Sequence, residues 1–179
     1  SYGYLLEELA TRGAKDIVGI EPGEEGGNGS AKYGIRMIKD FFPTPLTKDE
    51  RFDVVLSHCM LEHVEDPLAK LKEMRDVAKE NGMVFLAVPD AAPKMSIGDL
   101  SIVSHQHINY FTRTSLRRLL VAAGFSDVRT MTSTRRAILF GWGVRRRESG
   151  SSSESFVEDP IALFTSFSKN FAANVDAIQ

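Results

Sequence analysis

Two continuous apolar runs, separated by one capped helical segment, constrain the fold of this chain more than any other feature. Phe52–Ser57 (FDVVLS) and Met83–Val88 (MVFLAV) have the length and apolar content of strands that are covered on both faces. Between them, Asp66 and Pro67 supply an N-cap and a proline at the first helical position. A strand, a helix and a strand in this order predict a parallel α/β unit.

The remaining patterns extend this unit into a larger sheet. Apolar residues recur at helical spacing at 5–10 and 113–123, and shorter apolar runs at 16–21 and 35–41 indicate two further strands. Residues 128–132 and 135–144 are predicted to pair as an antiparallel hairpin at one edge. We therefore predict an α/β fold: a Rossmann-like, mostly parallel sheet with helices on both faces and an antiparallel edge hairpin.

Composition narrows the possible partners. A net charge of −2 over 179 residues gives no overall bias toward nucleic acid, and the basic run 145–147 fits a solvated face. No apolar run approaches the ~20 residues that cross a bilayer, so no membrane partner is expected. One cysteine, Cys59, excludes an internal disulfide and fits a reducing compartment. These observations predict a cytoplasmic protein that acts on a small molecule; they do not predict its oligomeric state.

The chain is expected to be a fragment with two regions. Residues 1–148 form the predicted α/β domain, which begins without methionine. The serine-rich stretch within 149–155 is typical of a flexible linker. Apolar residues at helical spacing in 156–179 predict the start of a C-terminal helical region.

Acidic residues end the first two predicted strands. Glu21 follows Gly3 at about the distance that separates a glycine loop from a ribose-binding acid in nucleotide-binding folds. It is otherwise a surface acid at a strand end. Asp40 beside Phe41 could bind an exocyclic amine while the ring stacks on a base, or could cap a turn while Phe41 packs in the core.

Two histidines precede the helix at 113–123. If the segment is extended, His105 and His107 point the same way, and both imidazoles reach one pocket while Gln106 points away. Imidazole is well suited to removing a proton near neutral pH, and Tyr110 could donate a hydrogen bond to a developing oxyanion. The alternative is a pair of exposed loop histidines.

Further histidines lie at the end of the third predicted strand. His58 is expected to face the crevice beyond the sheet, whereas His63 lies near the following helix. No set of cysteine and histidine residues has the spacing of a zinc site, so no metal is expected.

The order GIEP, KDFF, FDVVLSHCMLEHVEDP, GMVFLAVPD and HQHINYFTRTSLRRLLVAAGF resembles the class I S-adenosylmethionine-dependent methyltransferases. Within these, the double-histidine segment is most similar to the sugar C-methyltransferase group. The resemblance implies S-adenosylmethionine as the cofactor. It makes residues 1–148 the methyltransferase, or cofactor-binding, domain, without the first strand that the family has. It implies cofactor-binding roles as follows: Gly3 as the last glycine of the cofactor loop, Glu21 and Pro22 at the ribose, Asp40 and Phe41 at the adenine, and Ser57 and His58 near the methionine part.

The resemblance also implies a reaction. His107 would remove a proton from the carbon beside a keto group of a nucleotide-linked sugar, with His105 and Tyr110 beside it, and the carbanion would take the methyl group. The chain departs from that group at Gln106 and Ser104, where the family has an acid and a tyrosine. These departures leave a non-catalytic binding module that keeps the fold as one alternative. A nicotinamide-dependent α/β oxidoreductase is another, because an acid after a glycine loop serves both classes of fold.

Overall fold

The computed structural model describes residues 3–25, 32–133 and 137–147, together with 165–166, 168–170 and 172. The chain divides into two compact units, residues 1–50 and 51–179, and each contains its own sheet. The predicted linker at 149–155 lies outside the described residues. Those residues of the predicted C-terminal region that are described are helical.

The first unit pairs two short parallel strands beside one helix. Helix α1 spans Tyr4–Thr11, and strands β1 (Val18–Ile20) and β2 (Arg36–Ile38) pair in parallel. A Cβ at the buried Gly19 would overlap the sulphur of Met37, so the glycine lets this side chain of β2 lie against β1.

The second unit is a four-stranded mixed sheet in the order β3-β4-β6-β5. Strand β3 is parallel to β4, and β6 is antiparallel to both β4 and β5. The hairpin predicted for the sheet edge is therefore present, with β5 outermost. The elements are β3 Phe52–His58, α2 Pro67–Val77, β4 Ala78–Pro89, α3 Ala92–Ile97, α4 Arg113–Ala122, β5 Ser126–Thr132 and β6 Ile138–Val144, with single 3-10 turns at Leu61–His63 and Leu100–Ile102.

The core of this unit lies between the sheet and the helices α2 and α4. Each helix buries a pair of large apolar side chains, and each such side chain contributes about 1.5–3 kcal/mol. Helix α2 packs on β4, and helix α4 packs on β5 and β6. Within 82–86 of β4, buried residues alternate with half-buried ones, so one face of the strand is covered more completely than the other. The fully buried core residues include Leu71, Met74, Val84, Leu86, Val88, Leu116, Leu120 and Leu139.

Strand β4 starts at Ala78, before the apolar run Met83–Val88 that predicts it. The guanidinium of Arg145 donates hydrogen bonds to the carbonyls of Arg75, Asp76 and Ala78 at 3.1, 3.1 and 2.6 Å. A cation on the last carbonyls stabilises a helix end, so the chain leaves the helix at Ala78. Arg145 belongs to a run that the sequence assigned to a solvated face, and its role as a cap depends on β6.

Helix α4 approaches strand β6 most closely at Gly141. A Cβ there would lie 2.7 Å from Leu116 Cδ2 and 3.2 Å from Leu120 Cδ1. We expect Gly141→Ala to lower the free energy of unfolding by about 1–3 kcal/mol through overpacking, and Leu116→Ala by about 2–5 kcal/mol through a cavity.

The double variant should lose less than the sum, because the truncated side chain leaves room for the added methyl group. Urea denaturation of the four proteins measures this coupling. Strictly additive losses would contradict the close approach of α4 to β6.

Candidate functional site

Two segments that follow neighbouring parallel strands meet at the carboxyl ends of β3 and β4. The backbone N–H groups of Ile108 and Asn109 donate to the carbonyl of Glu62 at 2.9 and 3.1 Å. The side-chain amide of Asn109 donates to Val64 at 2.6 Å and to Leu61 at 3.4 Å. These bonds join the turn after β3 to the loop before α4, at the edge where ligands bind in open α/β sheets.

Three side chains form a polar cluster at this junction: Glu62, His63 and His107, here called the Glu62–His63–His107 cluster. Glu62 is buried, with 2% of its surface exposed. The two imidazole rings meet edge to face, with centroids 4.9 Å apart. One potential ligand atom from each residue lies within 4.8 Å of the other two. The cluster therefore brings two imidazoles and a carboxylate together around one point.

The hydrogen bonding of His63 determines which ring nitrogen carries its proton. Nδ1 lies 2.8 Å from the carbonyl oxygen of Gln106, which can only accept, so Nδ1 is the donor. In the neutral imidazole, Nε2 then has the lone pair, and it lies 3.7 Å from Glu62 Oε1. Among the described residues, nothing donates a hydrogen bond to Glu62 Oε2.

The double-histidine segment is not extended, which corrects one expectation. The N–H of His107 donates to the carbonyl of Ser104 at 3.1 Å, and this turn reverses the chain within the segment. His105 is exposed, whereas His107 is half-buried against His63. The prediction that both imidazoles reach one pocket is therefore wrong in this structure. Gln106, expected to point away, supplies the carbonyl that orients His63.

Tyr110 lies near His107, as the sequence predicted. Their ring centroids are 6.4 Å apart. The phenol oxygen accepts a hydrogen bond from the N–H of Ser104 at 3.4 Å. Its proton is therefore available to another acceptor.

Cys59 follows β3 directly and lies near the same carboxylate. The pKa of the Cys59 thiol is raised, mainly by burial and next by the charge of Glu62. The thiol is therefore protonated near neutral pH.

Two further candidate residues end strand β3. Ser57 is buried, and its Oγ has no hydrogen-bond partner among the described residues. His58, the last residue of β3, is exposed.

Candidate cofactor residues of the first unit lie at its strand and helix ends. Gly3 precedes α1 with φ of 82°, a left-handed conformation that favours glycine. Glu21 follows β1, is half-buried and accepts a hydrogen bond from the N–H of Gly23 at 3.1 Å, and the adjacent Pro22 is exposed.

Asp40 and Phe41 follow β2. The Asp40 carboxylate accepts from the Thr44 hydroxyl at 2.5 Å and from the N–H of Phe41 at 2.8 Å, so it caps a turn. The bond from Thr44 is the main reason that the pKa of Asp40 is lowered. Phe41 is 75% exposed, so it does not pack in the core as one alternative held.

Sequence patterns did not single out Glu62 and Asn109 as site residues. The residues around Asn109 in the sequence do not predict its contacts, because both carbonyls that accept from its side chain lie on another segment of the chain. The sequence feature that could have identified Glu62 as a site residue is its position directly before His63, in a segment that follows a predicted strand.

The amide of Asn109 holds the turn and the loop together. We expect Asn109→Ala to lower the free energy of unfolding by about 1–3 kcal/mol, because two backbone acceptors lose their donor. Gln106→Ala is the matched control, because Gln106 contacts His63 through its backbone carbonyl, which the substitution keeps. Its free energy of unfolding should change by no more than about 0.5 kcal/mol. Chemical denaturation measures both, and equal losses would contradict the role of Asn109.

Comparison with known proteins places the chain in a family. Residues 1–130 match the family model described as a methyltransferase domain. A ubiquinone biosynthesis O-methyltransferase from Aeromonas salmonicida (strain A449) is 29% identical over 139 residues, which are 68% of this chain and 58% of that protein. One from Ruegeria sp. (strain TM1040) is 29% identical over 55% of this chain and 44% of its own length. The chain thus spans about half the length of these relatives.

Solved structures share the fold. A SAM-dependent methyltransferase from Thermotoga maritima, described as a possible histamine N-methyltransferase, superposes with a TM-score of 0.61 at 22% identity, over 80% of this chain and 77% of that one. Magnesium protoporphyrin IX methyltransferase from Synechocystis PCC 6803, with bound SAH, superposes with a TM-score of 0.61 at 17% identity, over 80% and 69%.

No helix within the described ranges has the length and apolar content needed to cross a membrane. The α/β fold predicted from the sequence is confirmed by the neighbours. Because the family model matches more than half of the chain, the protein belongs to the methyltransferase domain family and has the fold of the S-adenosylmethionine-dependent methyltransferases.

Proposed function

We propose that this chain transfers a methyl group from S-adenosylmethionine to a hydroxyl oxygen of a small-molecule acceptor. The observation that carries the proposal is the Glu62–His63–His107 cluster at the carboxyl ends of two parallel strands. In a chain of this family, such a cluster supplies what O-methylation needs from the protein, namely help in removing the acceptor's proton. The O-methyltransferase relatives support oxygen as the accepting atom.

Residues of the first unit fit the adenosine part of the cofactor. Glu21 has a carboxylate at a strand end, where it can accept hydrogen bonds from ribose hydroxyls. The exposed ring of Phe41 is suited to stacking on a purine. The Asp40 carboxylate is ionised and can accept from an exocyclic amine beside the two donors it already binds.

Residues of the second unit fit a polar group at the end of β3. A buried hydroxyl without a partner costs free energy, so Ser57 Oγ is suited to a hydrogen bond with a bound molecule. The exposed His58 follows it and is proposed to contact the same molecule. Gly3 and Pro22 are proposed to line the cofactor through their backbone and ring, as the family resemblance implies.

The chemical step requires an acceptor oxygen with electron density to share. When bound, the cofactor supplies a methyl group on a positively charged sulphur. The imidazole of His107, which lies beside Tyr110, would accept the acceptor's hydroxyl proton. With the cofactor bound, the acceptor oxygen would take the methyl group from sulphur, whose bonding electron pair would stay on the S-adenosylhomocysteine that is released.

Tyr110 and His105 are proposed to orient the acceptor. The phenol proton of Tyr110 is free to donate, since its oxygen accepts from Ser104. His105 is exposed beside the turn and would contact the outer part of an acceptor.

C-methylation of a nucleotide-linked keto sugar is the second candidate. It is favoured by the segment HQHINYF and by the proximity of His107 to Tyr110. In that reaction the proton leaves carbon beside the keto group, and the carbanion takes the methyl group. The two candidates share the cofactor and the cluster and differ in the atom that is methylated.

Cofactor binding can be tested at Glu21. Calorimetric titration with S-adenosylhomocysteine should show binding that Glu21→Ala weakens roughly 10–100-fold, because hydrogen bonds to a charged acceptor are lost. Glu24→Ala is the matched control, since Glu24 is exposed three residues away. Absence of binding by the unaltered chain, with its circular dichroism intact, would overturn the proposal.

Methyl transfer can be tested with cofactor labelled with carbon-13 in the methyl group. Catechols and keto sugars serve as acceptors, and the label should appear as a methoxyl carbon if oxygen accepts and as a C-methyl carbon in the second candidate. His107→Ala should lower kcat roughly 10²–10⁴-fold and leave affinity for S-adenosylhomocysteine unchanged. Binding of S-adenosylhomocysteine without turnover on either acceptor class would favour a non-catalytic module.

A further inference from the structure

We propose that Glu62, His63 and His107 bind one divalent transition-metal cation. Two imidazoles and one carboxylate are a ligand set suited to Zn²⁺, Mn²⁺, Fe²⁺ or Co²⁺. Three protein ligands leave coordination positions open, which is typical of catalytic rather than structural sites. The geometry of the cluster alone supports metal binding. The consequence of that binding for methyl transfer rests on the proposed function.

The spacing of the ligand atoms is close to that of a coordination sphere. One atom of each residue lies within 4.8 Å of the others, and His63 Nε2 lies 3.7 Å from Glu62 Oε1. Metal–ligand bonds of about 2.1 Å place neighbouring ligand atoms about 3.0–3.4 Å apart. Small side-chain rotations would therefore close the site around a cation.

The hydrogen bonds around His63 match those of a metal ligand. Its Nδ1 donates to the carbonyl of Gln106, which leaves the Nε2 lone pair directed at the cluster. Histidine ligands usually donate their other N–H to a carbonyl or carboxylate, which orients the ring and raises its basicity.

Glu62 provides a second, independent indication of a ligand. The residue is 2% exposed, and its Oε2 accepts no hydrogen bond among the described residues. A buried carboxylate oxygen without a partner is costly, and a cation removes that cost.

Bonds between the turn and the loop hold the three ligand residues in place. The carbonyl of Glu62 and the amide of Asn109 tie the turn to the loop by bonds that involve none of the three ligand side chains. Metal binding would therefore not require the fold to form around it.

The competing explanation is an ion pair between a protonated His63 and Glu62. It accounts for the same two residues without His107 and predicts no specific affinity for a cation. The 3.7 Å separation between Nε2 and Oε1 is longer than a charge-assisted hydrogen bond, which favours a gap that a cation fills.

A bound cation would determine the chemical role of the cluster in methyl transfer. An acceptor hydroxyl in an open coordination position would lose its proton more readily, because the cation stabilises the oxyanion. His107 would then act as a ligand, and the proton would pass to solvent rather than to its imidazole.

Cobalt binding tests the site without any turnover. The full chain, first freed of metal with a chelator, is titrated with Co²⁺ while the ligand-field absorption is recorded. We expect one saturable site that Zn²⁺ displaces, and a loss of at least tenfold in affinity in Glu62→Gln and His107→Ala. His105→Ala is the matched control, because this neighbouring histidine lies outside the cluster and should leave the affinity unchanged.

Absence of saturable cobalt absorption would overturn the proposal, as would equal affinity in His107→Ala or an equal loss in His105→Ala. If Glu62→Gln fails to fold, thermal unfolding measured with and without Zn²⁺ replaces it as the test. The ion should raise the Tm of the unaltered chain and leave the Tm of His107→Ala unchanged. The S-adenosylhomocysteine titration is performed with chelator present. A chain that binds S-adenosylhomocysteine but not cobalt therefore overturns the metal site alone.

Discussion

The candidate site depends on the parallel pairing of β3 with β4. Ser57 lies opposite Leu86 and His58 opposite Ala87, so both strands deliver their following segments to the same edge of the sheet. An antiparallel partner would have sent one of them to the opposite edge. The turn at Leu61–His63 and the loop at 104–109 can meet only because of this register.

Once the two segments meet, the buried Glu62 dominates the local chemistry. Its backbone carbonyl accepts hydrogen bonds from the loop, and its carboxylate lies beside His63. Burial is the largest reason that the pKa of the Cys59 thiol is raised, and the charge of Glu62 is the next. A charge in this position must be compensated by neighbouring donors or by a cation. The thiol of Cys59, the neighbouring imidazole of His63 and, in the proposed site, a cation are the groups that can do so.

The two units contribute different chemistry to the proposed function. The first ends its strands on carboxylates and an exposed aromatic ring, groups suited to a nucleoside. The second ends its strands on imidazoles, a carboxylate and a buried hydroxyl, groups suited to moving a proton.

The sequence by itself determined the order and type of the elements, since caps and periodicity act over a few residues. Asp66 and Thr112 each cap the helix predicted for them, and the family motifs identified the methyltransferase fold. Only the tertiary structure decided which histidine joins the cluster. A single turn at Ser104 separates His105 from His107, and a carbonyl far along the chain orients His63. The turn at Ser104 is local, whereas the bond from His63 to Gln106 joins segments that follow different strands, and it depends on how those strands pair rather than on local spacing.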